Sequence, residues 1–153
     1  MKPSKKNMQC CTFYVNGAFF GVDVLRVREV LRYQRMTPVP LAPDTIEGLI
    51  NLRGEIVTAI DLRKMVQPTR GFVRKNENPM NVVVRIDSNV VSLLVDEIGD
   101  VISIEPENLE EPPNTISEST RKLVDSVYKI KDKLMLILNV DETIQTQAEL
   151  ADK

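Results

Sequence analysis

The 153-residue sequence contains no histidine and no tryptophan, and its only two cysteines are adjacent. Without histidine, the commonest general base and the commonest metal ligand are both missing. Ser–His and Cys–His dyads cannot be assembled from this chain. Cys10 and Cys11 are neighbours, and consecutive Cα atoms lie about 3.8 Å apart, below the usual span of a disulfide. On a strand the two side chains point to opposite faces, which predicts one buried thiol and one incidental one. With no other Cys or His they build no typical zinc site. The six glycines form neither GxGxxG nor a Walker loop, so no phosphate cradle is expected. Aromatic residues make up 5% of the chain, which leaves few platforms for stacking bases. A net charge of −2 implies no basic surface for nucleic acid. No apolar run approaches the length of a transmembrane helix. The N-terminus, MKPSKKNM, is basic but lacks the apolar core of a signal peptide. The expectation is a cytoplasmic chain without direct membrane insertion, its residues 1–8 forming a solvated, disordered tail.

What is present reads as an ordinary globular domain, or two small units sharing a core. The central stretch is GLINLRGEIVTAIDLRKM, Gly48 to Met65. Leu49, Ile50 and Leu52 form one apolar strand that stops at Arg53-Gly54, and Ile56–Ile60 form the return. Gly54 sits where a hairpin reversal needs positive φ. Asp61 is a natural N-cap for a short helix over Leu62–Val66. Arg53 is a fixed cation beside a turn between two mostly buried strands. A structural ion pair, to Glu29 or Glu47, and partner recognition are both open to it; arginine is enriched at interface hot spots.

Gln9–Val15 is rich in β-formers, Asn16-Gly17 is a two-residue hairpin signal, and Ala18–Val22 is the return strand. Asp23 is expected to cap a helix carrying Val24, Val27 and Leu31 on one face, with Leu25 and Val30 beside it. Apolar residues on more than one face suggest either burial in two cores or an exposed stripe. Pro38, Pro40 and Pro43 make an extended edge or loop. Gln67–Pro79 reads as a loop joining two halves. Asn81–Ile86 and Val90–Val95 flank the turn former Asp87-Ser88-Asn89. Gly99 precedes a strand over Val101–Ile104, and Glu105–Ser119 reads as a long surface loop. A final hairpin, Val124–Ile130 with Leu134–Leu138, is followed by a helix over Val140–Leu150. Asp96, Glu97 and Asp100 are expected to be solvated residues around a turn, since calcium loops need denser oxygen ligands.

A faint duplication runs through the chain. Ile56–Met65 parallels Leu134–Thr143, equating the caps Asp61 and Asn139; Val22-Asp23 parallels Val95-Asp96. Short strands at regular spacing with such an echo predict two small barrels packed side by side, each too small to be stable alone.

Asn51-Leu52-Arg53-Gly54 with Ile60-Asp61-Leu62-Arg63 resembles the signature of the CheW family of bacterial chemotaxis coupling proteins. Phe19–Leu31, Pro40–Pro43 and Val91–Val101 fit the same family in the same order, so the resemblance covers nearly the whole chain. It implies a mainly β fold: two SH3-like five-stranded β-barrel subdomains side by side with a groove between them, short helices and a C-terminal helix. The CheW-like domain would span residues 9–146, the first barrel roughly 16–80 and the second roughly 81–140, with a possible contribution from the N-terminal strand. Residues 147–153 would be a tail. The resemblance further implies a non-enzymatic adaptor without cofactor or metal. It would couple the cytoplasmic tip of a chemoreceptor (a methyl-accepting chemotaxis protein) to the regulatory domain of a CheA-type histidine kinase in membrane-associated arrays. Family contact positions fall on Val24, Val27, Glu29, Gly48, Arg53 and Gly54, with Val27 expected in the groove. Two other readings stay open at this point: an adaptor of another kinase pathway, such as surface motility, and a fragment of a receiver-fused regulator.

Overall fold

The computed structural model describes residues 7–74 and 78–151. The chain opens with the hairpin β1 (Met8–Val15) and β2 (Ala18–Asp23), turned by Asn16 and Gly17 at φ 51° and 85°. A 3-10 turn, Val24–Arg26, leads into β3 (Val27–Arg32). The hairpin β4 (Ile46–Leu52) and β5 (Glu55–Asp61) follows, then a 3-10 turn over Leu62–Lys64. After the 67–79 connection come β6 (Met80–Ile86), β7 (Asn89–Val95) and β8 (Glu97–Ile104). A one-turn helix α1 (Glu118–Arg121), the hairpin β9 (Val124–Ile130) and β10 (Lys133–Leu138), and helix α2 (Val140–Ala151) complete it.

Among the described residues ten strands form two five-stranded sheets with the orders β8-β1-β2-β10-β9 and β3-β6-β7-β5-β4. The expected partition near residue 80 is corrected here: β1 and β2 join the sheet of the C-terminal strands, while β6 and β7 join that of β3–β5. The reason is duplication with exchange. Phe13 faces Ile98 and Val84 faces Val27, an offset of 71 residues on both strands, 84 − 13 and 98 − 27. Leu52 faces Glu55 and Ile130 faces Lys133, an offset of 78. The repeats are therefore β1–β5 and β6–β10, and each gives its first hairpin to the other's sheet. The Asp61/Asn139 echo keeps this register. The Val22-Asp23 echo is two residues out, because the ladders equate Asp23 with Leu94.

Burial explains the near-continuous apolar strands, which must satisfy two faces. On β10, Met135 and Ile137 turn into the interior of their own sheet, whereas Leu136 and Leu138 enter a larger core shared by both sheets. Phe13, Phe20, Val84, Leu93 and Val95 fill that shared core, with Phe13 and Phe20 stacked at 5.8 Å. The other sheet closes a smaller interior around Ile50, Leu52, Val57 and Val83.

Several local expectations are corrected. The helix expected over Val24–Leu31 is a single 3-10 turn and then a strand, because Val30 and Leu31 pair with Val82 and Asn81 of β6. A short apolar run fits either period, and pairing decided. β8 runs through Gly99, where a Cβ would lie 2.5 Å from Thr12 Oγ1. The 105–119 loop contains a 3-10 turn, the start of α1 and a bridge from Glu110 to Val127. β1 begins at Met8, and residues 1–6 of the expected tail lie outside the described residues. α2 extends through Ala151, into the segment expected as a C-terminal tail.

Candidate functional site

The β4–β5 corner is built by Asn51, Arg53 and Gly54. Arg53 and Gly54 take φ 52° and 87°, the pair of positive values that a two-residue hairpin turn requires. Asn51 fixes it by accepting the Gly54 N–H at its Oδ1, 2.8 Å away. Because the sheet curls, this corner meets β3 although the two strands lie at opposite edges. The Arg53 guanidinium donates to Glu29 Oε2 at 2.5 Å, and Arg28 donates to Glu55 Oε2 at 2.7 Å. The Arg53 side chain nevertheless stays 68% exposed. An exposed cation in water contributes little to stability, so most of its bonding capacity faces outward. Ile56, two residues beyond Gly54, adds exposed apolar surface at 62%.

Of the six family contact positions, the fold brings Glu29, Arg53 and Gly54 together at this corner. Gly48 does something else. It is buried, and a Cβ there would come within 2.7 Å of the Thr37 carbonyl oxygen, where Met36-Thr37 crosses β4. Thr37 and Leu49 exchange two backbone hydrogen bonds at 2.8 Å, capping the β4 edge. Glu47 pairs with Lys64, not with Arg53. Val27 is half-buried and packs against the shared core, which fills much of the space between the sheets. Val24 is half-buried in the 3-10 turn.

A second polar knot lies where the sheets meet. Asp61 caps its turn by accepting the Arg63 N–H at 2.9 Å, and also takes the Arg63 side chain at 2.9 and 3.0 Å. Burial works to lower the Arg63 pKa, but the hydrogen bond and charge of Asp61, with Asp96 and Glu47, outweigh it and the net push is upward. Asp96, expected to be solvated, is buried: it accepts the Asn16 N–H at 2.7 Å and lies 3.9 Å from Arg63. Glu97 and Asp100 are exposed. Sequence reasoning found the Asp61 cap but missed the Arg63 side chain on it, the Asn16–Asp96 bond and the Arg28–Glu55 pair; the last two join residues far apart in the chain, which no local spacing signals. Burial pushes the Cys10 thiol up to about 11, helped by Asp23 and Cys11, so it is no nucleophile.

Two interlocked five-stranded units whose distinctive polar groups hold the fold or rim its surface define a small β scaffold. The CheW-like domain family matches residues 9–148, and the chain belongs to the CheW family. The chemotaxis protein CheW of Treponema pallidum is 23% identical over 96% of this chain and 88% of that protein. Its namesake in Bacillus subtilis is 25% identical over 94% and 91%. The crystal structure of the scaffolding protein TtCheW from Thermoanaerobacter tengcongensis superposes with a TM-score of 0.76 at 30% identity, covering 92% of this chain and 89% of that one. Among the described residues no helix is long and apolar enough to cross a membrane.

Proposed function

We propose that this chain is a non-enzymatic coupling protein of bacterial chemotaxis. It joins the cytoplasmic tip of a chemoreceptor to the regulatory domain of a CheA-type histidine kinase, in the cytoplasm at membrane-associated receptor arrays. The observation that carries the reading is the CheW-like match over nearly the whole chain. Its relatives are chemotaxis and scaffolding proteins by name. The Glu29–Arg53–Gly54 corner is the contact surface, with Val24 and Val27 flanking it on β3 and its preceding turn. Gly48 acts indirectly, by allowing the backbone packing that holds β4.

The test is titration of the purified chain against the organism's own receptor-tip fragments and histidine kinases. Arg53→Ala should fold normally and weaken association with one of them at least tenfold, about 1.4 kcal/mol. Binding only to a kinase of another pathway, with no affinity for receptor tips, would replace the chemotaxis reading.

A further inference from the structure

Every ladder between strands distant in sequence also joins the two repeats. Within β1–β5 the ladders are the hairpins β1–β2 and β4–β5; within β6–β10 they are β6–β7 and β9–β10. The remaining four, β1–β8, β2–β10, β3–β6 and β5–β7, each pair one repeat with the other. The shared core is likewise drawn from both. Neither repeat can complete a sheet alone, and isolated two-stranded hairpins are marginal in water. One covalent connection joins the halves, residues 67–79, with Pro68, Gly71 and Pro79. Fully extended, a segment of that length reaches about 43 Å. Its ties to the body include Thr69 N–H to the Asn16 carbonyl at 2.8 Å and Arg74 to Asn16 Oδ1 at 2.9 Å.

We infer that the halves also mate in trans: a second copy of this chain supplies the missing repeat, giving an exchanged dimer. In it, β1–β5 of one protomer pairs with β6–β10 of its partner. Every ladder and core contact of that dimer already exists within the single chain, so the connection's effective concentration sets the balance between the two forms. Such exchange is a low-cost route to dimers. The Asn16 N–H to Asp96 bond, which ties the repeats at 2.7 Å, would run between chains unchanged. The product carries two complete copies of each sheet and hence two Arg53 corners. The exchange does not depend on the coupling function.

The experiment uses the full chain with a specific protease site in place of residues 75–77. Tagged and untagged versions are unfolded together in guanidinium, refolded at rising protein concentration, diluted, and followed by size exclusion and native mass spectrometry. The expected product, beside monomer, is a slowly dissociating species of twice the 17.3 kDa chain mass containing one chain of each kind. Cutting both connections should turn that dimer into two monomer-sized particles, each holding one N-terminal and one C-terminal piece. A dimer that survives cutting is a side-by-side association and overturns the proposal, as does the absence of dimer at every concentration. If replacing 75–77 disturbs folding, a site placed after Arg70 serves the same purpose. A site in the Lys131-Asp132 turn is the control, whose cleavage should leave the exchanged dimer whole.

Discussion

The two sheets share a strand order and a register yet close their ends differently. Around β3–β7 the edge strand is tied to the hairpin corner by Glu29–Arg53 and Arg28–Glu55. The register puts Gly99 and Asp100 where Arg28 and Glu29 stand, and Lys131 and Lys133 where Arg53 and Glu55 stand. Among the described residues no ion pair joins these four, and a cleft of about 330 Å³ opens there, walled by Tyr14, Phe19, Ile102 and Ile130. Lys133, exposed, lies over two aromatic rings instead, donating to the Tyr14 hydroxyl at 2.5 Å and lying 5.1 Å from the centroids of the Tyr14 and Phe19 rings. The interiors differ too. Ser92 donates to Asn81 Oδ1 at 2.8 Å in one sheet; at the equivalent positions of the other, Gly21 lies under Met135 and Cys10 is apolar filling. Meanwhile both repeats keep the two-bond edge bridge, Thr37 with Leu49 and Glu110 with Val127. Backbone pairing is what duplication preserved; the charged corners belong to one repeat alone.

The largest effect should come from the element that makes the sheets one body. Leu93→Ala, in the shared core, should cost about 3–5 kcal/mol, the range for a buried leucine. Urea unfolding should remain a single transition by circular dichroism. Two separate transitions would mean that the sheets fold independently.

Next come the paired caps. Asp61→Ala removes a cap and strands a largely buried guanidinium, which should cost about 3 kcal/mol. Asn139→Ala removes only the bond to the Glu142 N–H at 2.9 Å and should cost about 1 kcal/mol. Equal losses in thermal and urea melts would show that the Arg63 pair contributes nothing beyond capping.

Arg53→Ala should change stability by less than about 1 kcal/mol, because the Arg53 side chain is exposed and screened by salt and Arg28, 3.6 Å from Glu29, still faces that carboxylate. A larger loss, measured at both low and high salt, would make the corner a structural clamp.

The smallest effect is at Cys10. Its folded pKa of about 11 stands above the ordinary value of 9.0. The contribution of the protonated thiol is therefore complete below pH 9. It fades as pH rises towards 11, where the unfolded chain has given up a proton that the fold still holds. Stability should fall between pH 8 and 10 by less in Cys10→Ala than in the parent chain; identical slopes would remove Cys10 from the account.

Much of this was legible in local sequence. Asn16-Gly17 and Arg53-Gly54 announced their turns because only a few residues accept positive φ, and Asp61 announced its cap because free N–H groups at a helix start need an acceptor. The 78-residue echo between Asp61 and Asn139 announced the duplication. What tertiary structure alone decided is which copy pairs with which. Hairpins are set by a turn, but the ladders from β1 to β8 and from β3 to β6 join strands far apart in the chain, and alternation looks the same whichever partner is chosen. The same ambiguity turned Val24–Leu31 from an expected helix into a strand, since backbone groups offered an open β6 edge are satisfied there. It also took Asp96 from expected solvent into a buried bond with Asn16, a neighbour only because the repeats exchange their hairpins.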